Sequence, residues 1–138
     1  MLYAQTYTSS IASMYLTWYT VSVPEKILHA VFFRQLSSRE PVREWLKDKL
    51  EPEDRRVIGM DIATVEWGWP VGMPVCRSLG PGLREVRSSL PGGRIARVVF
   101  CLRGDRMILL AGFLKTSSKT PAIEINKALK RMKEIDHV

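Results

Sequence analysis

Residues 83–115 read LREVRSSLPGGRIARVVFCLRGDRMILLAGFLK, and this stretch decides the fold. Leu83–Leu90, Ile95–Leu102 and Met107–Lys115 are three strand-like runs rich in branched residues. Pro91-Gly92-Gly93 and Gly104-Asp105 separate them, and both are strong turn signals. Three strands on turns this short predict an antiparallel meander.

Upstream, Gly72–Gly82 holds three Gly and two Pro and reads as a connection. Before it lie two helical patterns. Ser37 and Glu40 have capping-box spacing, with Pro41 in the first turn and Val42, Trp45, Leu46 and Leu50 at helical spacing. A second helix is predicted from Glu51-Pro52, with Ile58, Ile62, Val65 and Trp69 on one face and Gly68 and Pro70 ending it. Ile27–Gln35 reads as a strand ahead of this hairpin. Downstream, Thr120-Pro121 reads as an N-cap and first helical residue. Ile125, Ala128, Leu129 and Met132 then form the apolar face of a closing helix. The predicted order is strand, helical hairpin, three-stranded meander, C-terminal helix. That order is α+β, with a small, mostly antiparallel sheet.

The 138 residues suit one domain, read here as 25–138. Residues 1–24 carry no charged side chain and read as an appendage. They lack the basic start and dense apolar centre of a secretory signal, although a short interfacial segment is an alternative reading. The 25–138 piece is expected to fold and act without them. No uncharged run is dense enough to suggest a membrane helix. Two cysteines, Cys76 and Cys101, are too few for a disulfide framework and point to a reducing, cytoplasmic setting.

The formal charge of +7 is unevenly placed. Residues 1–76 have a net charge of −1, and residues 77–138 have +8. Such asymmetry favours a polyanionic partner, with generic surface solubility as the plain alternative. His29 and His137 are far apart, and no Cys or His pair has zinc-ligand spacing, so no metal or other cofactor is expected. Neither glycine-rich piece matches a phosphate-loop or dinucleotide fingerprint.

What remains is basic. Arg84, Arg87, Arg94, Arg97, Arg103, Arg106, Lys115 and Lys119 face only two acids, Glu85 and Asp105, across residues 84–119. Arg97 interrupts the apolar run Ile95–Phe100, so it either reaches solvent on an open sheet face or serves a bound anion. Lys115 and Lys119 precede a helix start, where free N–H groups favour phosphate. Whether Arg87 and Arg97 share a face depends on the turn between them. A two-residue turn sets Arg87 against Val98 and puts the arginines on opposite faces. An odd loop or a bulge sets Arg87 against Arg97. The odd case is expected, because it gives a cationic cleft.

Four segments then resemble the RelE/ParE superfamily of bacterial toxins, in its HigB-type branch with phage-derived members. They are Gly82–Arg87, Ile95–Phe100, Leu110–Lys115, and Lys119-Thr120-Pro121 with Glu124-Ile125. That branch typically reads Leu-x-Glu-Leu-Arg, Tyr-Arg-Val-Leu-Tyr, Gly-Phe-x-Lys-Lys and Lys-Thr-Pro in this order. The likeness extends over residues 27–135. Ala96 and Phe100 replace its tyrosines, Thr116 replaces its second lysine, and residues 83–115 hold no Tyr or His.

The resemblance implies a RelE-like fold and the toxin of a type II toxin–antitoxin pair, with a cognate helix-turn-helix antitoxin. The implied activity is metal-free endonucleolytic cleavage of mRNA on the ribosome. Arg87, Arg97, Lys115 and Lys119 are the implied catalytic residues, and Arg84, Arg94, Lys127, Lys130 and Arg131 the RNA-binding ones. Glu85 is a weaker candidate base and a better orienting partner for an arginine. Arg97 and Lys115 are expected to hold their charges at an open face, so that alanine there spares the fold. Alternatives are a ParE-like toxin that blocks a protein such as DNA gyrase, or a non-catalytic basic RNA-binding protein.

Overall fold

The structure, a computed structural model, describes residues 25–115 and 120–136. Strand β1 (His29–Phe32) leads into helices α1 (Pro41–Asp48) and α2 (Pro52–Gly68). Strands β2 (Cys76–Gly80), β3 (Leu83–Ser89), β4 (Ile95–Arg103) and β5 (Arg106–Lys115) follow, and helix α3 (Ala122–Asp136) closes the order. The five strands form one sheet in the order β1-β5-β4-β3-β2. All neighbours are antiparallel except β1 and β5, which run parallel. The α+β class and the mostly antiparallel sheet are as the sequence predicts.

The predicted connection at Gly72–Gly82 is corrected in its middle. Cys76, Arg77 and Ser78 pair with Val86, Glu85 and Arg84, so the meander has four strands. The prolines of this segment, Pro74 and Pro81, lie just outside β2, an edge strand with one pairing side, and Gly80 sits where the register shifts. The start of α1 is also corrected. Ser38 takes a left-handed φ of 71°, and the helix begins at Pro41 with Glu40 before it and no side-chain cap. A capping box does form one helix later, between Glu51 and Asp54.

Strand alternation gives the sheet two covered faces. One packs on the α1–α2 hairpin through Val86, Ala96, Val98 and Phe100 against Val42, Ile58, Ile62 and Val65. Trp45 of α1 lies on Gly112 of β5, where any Cβ would overlap the indole ring. The other face packs on α3 through Leu83, Val99, Cys101, Ile108 and Leu110 against Ala128, Ile125, Leu129 and Met132. Both free cysteines are buried, and burial pushes their thiols up in pKa, as fits the reading of them as small hydrophobes. No described helix is long and apolar enough to cross a membrane.

Candidate functional site

The loop Leu90–Arg94 joins β3 to β4 with an odd number of residues. Gly92 and Gly93 supply its left-handed turn, with φ near 79° and 77°. The expected consequence holds, and Arg87 pairs directly with Arg97. Like charges set opposite one another destabilise a sheet, so this pairing needs compensation. Glu85, two residues earlier on the same face of β3, provides it. Arg97 Nη1 donates to Glu85 Oε1 at 2.5 Å and to Thr120 Oγ at 3.0 Å. Thr120 Oγ in turn donates to Glu85 Oε2 at 2.8 Å. Across the sheet edge, Arg77 Nε lies 3.7 Å from Glu85 Oε1.

The open-face expectation for Arg97 is overturned. Both Arg97 and Glu85 have 0 % of their surface exposed. The carboxylate that receives Arg97 lies twelve residues upstream, and α3 brings Thr120 over the pair. Arg97 Nε and Nη2 nevertheless find no partner among the described residues, which leaves two strong donors buried without one there. Desolvation lowers the guanidinium's pKa, Glu85 opposes that, and Arg87 and Arg77 add to it.

Lys115 pairs with Ile95 at the end of β5 and is half-buried. Its pKa is lowered by burial first, then by the positive charges of Arg97 and Arg87, with Glu85 opposing and Arg77 adding a little. Arg77, Arg87, Arg97 and Lys115 therefore share one electrostatic neighbourhood around a single close carboxylate. It lies on the α3 face of the sheet, where α3 begins. Arg77 was missed by sequence reasoning because it sits in the segment read as a connection. Recognising Cys76–Gly80 as a strand would have set Arg77 opposite Glu85.

The other predicted site residues fall elsewhere. Arg84 points to the opposite face, with its guanidinium 5.0 Å over the Trp69 ring. Arg94 clamps both oxygens of buried Asp54 at 2.8 and 2.9 Å, tying the β3–β4 loop to the start of α2. Arg131 donates to the Leu110 carbonyl at 2.6 Å and stacks over Phe33. Lys127 pairs with Glu124 one turn earlier on α3, and Lys130 is exposed on the same helix. Lys119 and His137 lie outside the described residues. His29 is on β1 beside Asp105, at the sheet edge away from β3. Among the described residues, no group of three His, Cys, Asp or Glu is placed to hold a metal ion.

Chemically, this arrangement concentrates four cations around one close carboxylate, with a partly desolvated amine in low-dielectric surroundings that strengthen each charge, and such an excess favours a nearby anion. A family model for phage-derived Gp49-like proteins (DUF891) matches residues 44–133. The chain belongs to this family. The matched segment of the Gp49-like protein encloses Arg77, Glu85, Arg87, Arg97, Lys115 and Thr120, so the whole cluster lies within it. The match begins inside α1, later than the resemblance that starts at Ile27, and its description carries the phage origin. No curated protein sequence matches the chain.

Proposed function

We propose that this Gp49-like protein is the toxin of a type II toxin–antitoxin pair and cleaves mRNA on the ribosome without a metal ion. The observation that carries the reading is the pairing of Arg87 with a buried Arg97 whose Nε and Nη2 have no partner among the described residues, beside Lys115. Four cations around a single close carboxylate leave an excess of positive charge that a phosphate at Arg87 and Lys115 would offset. Family membership and the four-motif resemblance supply the toxin class. The partner is a small antitoxin that covers the basic face, and the working compartment is the cytoplasm, where ribosomes are.

The reaction needs little covalent help. The ribose 2′-oxygen attacks the adjacent phosphorus, the bond to the 5′-oxygen breaks, and a cyclic phosphate and a 5′-hydroxyl remain. Arg87 stabilises the charge that builds on the phosphoryl oxygens, and the enclosed Arg97 adds to it through its charge behind Arg87. Lys115, with its pKa lowered, takes the 2′-hydroxyl proton in its neutral form, and the departing 5′-oxygen collects a proton from water. Glu85 and Thr120 position Arg97 rather than touch the RNA. The amine role for Lys115 stands in for the Tyr or His that residues 83–115 lack.

Single-turnover cleavage on programmed ribosomes tests this. Lys115→Ala and Lys115→Arg should both slow cleavage by about 10²–10³, because arginine keeps the charge but accepts no proton near neutrality. In the native protein the rate should rise with pH through the lowered Lys115 pKa and then level off, since the neutral amine is the active form. EDTA should leave cleavage intact while ribosomal Mg²⁺ is maintained. Full activity of both variants, or no cleavage by the native protein, would remove the reading. In the latter case, gyrase inhibition by the same preparation would favour a target-blocking toxin.

A further inference from the structure

A cavity of about 470 Å³ opens on the α2 side of the sheet, where β2 has not yet begun and β3 and β4 meet at their loop, across the sheet edge from the cationic cluster. Its size lies within the roughly 300–1,000 Å³ usual for small-molecule sites. Val57, Val75 and Ile95 give it apolar walls, and Met73 and Pro74 form a rim. Arg87 is part of its lining, with Nη1 3.7 Å from the Met73 sulfur. Arg87 is thus shared between the cavity and the cationic cluster at the open sheet edge, where a phosphate held by Arg87 can carry a base into the cavity around that edge.

Two polar side chains in the lining have no role in the fold. Ser88 is buried, yet its Oγ has no hydrogen-bond partner among the described residues. A buried hydroxyl left unsatisfied is a cost that a ligand can remove. Asp61 lies one turn beyond Val57 on α2, is half-buried, and has no ion-pair or hydrogen-bond partner among the described residues. An ionised carboxylate accepts hydrogen bonds only, and it takes two best from adjacent N–H donors. Aliphatic walls, a carboxylate and one hydroxyl suit an apolar-faced base with two neighbouring donors.

We infer that this cavity seats the nucleobase next to the phosphate held by Arg87, and that Asp61 selects guanine. Guanine's Watson–Crick edge presents N1–H and N2–H side by side to the two Asp61 oxygens. Uracil offers one N–H between two carbonyls, which face the carboxylate unfavourably. Cytosine and adenine each offer an amino group beside a ring-nitrogen acceptor. Ser88 Oγ is left to donate to a ring nitrogen or carbonyl of the same base. This inference names the substrate specificity of the proposed ribonuclease site and rests on that proposal for its RNA.

Two measurements separate the inference from the proposal it rests on. In the first, amide chemical shifts of the full-length protein are followed during titration with guanosine and uridine 5′-monophosphates. Guanosine monophosphate should saturate shifts at Val57, Asp61, Val75 and Ser88, uridine monophosphate should bind at least about fivefold more weakly, and Asp61→Ala should abolish the difference. In the second, cut positions are mapped on mRNA bound to programmed ribosomes. The native protein should favour cuts beside guanine, and Asp61→Ala should lower the ratio of guanine-adjacent to other cuts by about fivefold or more. Ser88→Ala, which removes an unpaired hydroxyl, should weaken guanosine monophosphate binding without lowering the melting temperature. Equal nucleotide binding by native and Asp61→Ala proteins would overturn the inference. Unchanged cut preference in a cleaving Asp61→Ala variant would do the same. If the native protein cuts no RNA, the ribonuclease proposal falls, and the titration alone decides whether the cavity reads guanine.

Discussion

The two faces of the sheet are built from alternate residues of the same strands, and they end differently. On the α1–α2 face, Val86, Ala96, Val98 and Phe100 run apolar along the pairing, and Trp45 seals the far side over Gly112. Even Arg84 on that face lies flat on Trp69. On the α3 face, Leu83, Val99, Cys101 and Ile108 are equally apolar under the helix. Past the first turn of α3 the same face changes to Arg77, Glu85, Arg87, Arg97 and Lys115. One face is a closed core except at its β3–β4 end, where a cavity opens beside Asp61 and Ser88. The other is a core over part of its length and a cationic cluster around Glu85 over the rest. Because neighbouring residues point to opposite sides, a shift of a single position in the β3–β4 loop would have dispersed the cluster between the two faces.

The largest expected effect lies where the cluster is buried. Arg97→Ala leaves Glu85 charged, buried and held only by Thr120 and distant Arg77. Breaking a buried pair from one side typically costs about 3–5 kcal/mol. Denaturant unfolding should show a loss of that order, and a double Arg97→Met, Glu85→Leu variant should recover much of it. A loss for Arg97→Ala within about 1 kcal/mol, the size of an ordinary surface change, would mean that the cluster is a solvated surface after all. A smaller effect is expected on the α1–α2 face. Gly112→Ala forces a methyl group into the Trp45 ring, and overpacking of this kind costs about 1–3 kcal/mol. Its melting temperature should fall, while the amide shifts of Arg87 and Lys115 hold. A neutral Gly112→Ala would show that α1 is looser on the sheet than the contact implies.

Much of this arrangement was legible in the chain. Leu83–Ser89, Ile95–Arg103 and Arg106–Lys115 follow their branched runs closely, because burial and turn chemistry agree there. The Arg87–Arg97 pairing was legible through loop parity. Two local signals were misleading. Ser37 and Glu40 have the spacing of a capping box, but Glu40 instead meets Arg34 and Arg43 at the surface, and Pro41 sets the helix start. The prolines and glycines around Cys76–Gly80 hid an edge strand, and Arg77 with it. The burial of Arg97 was not legible from its own strand. It depends on Glu85 and on Thr120, which meet only once β3, β4 and the start of α3 are assembled. The partners of Arg94 and Arg131, Asp54 and Leu110, were not legible for the same reason, since they lie 40 and 21 residues away.

Arg84 and Arg87 offer the most direct test, because they are three residues apart on β3 and point to opposite faces. Each is replaced by alanine, and single-turnover mRNA cleavage is measured on programmed ribosomes with melting curves taken alongside. Arg87→Ala should lose about 10²–10³ in rate with its melting curve little changed, as removal of one transition-state donor does, while Arg84→Ala should cleave within a few-fold of the native rate. Equal losses from the two variants, or a larger loss from Arg84→Ala, would contradict the assignment of the active face.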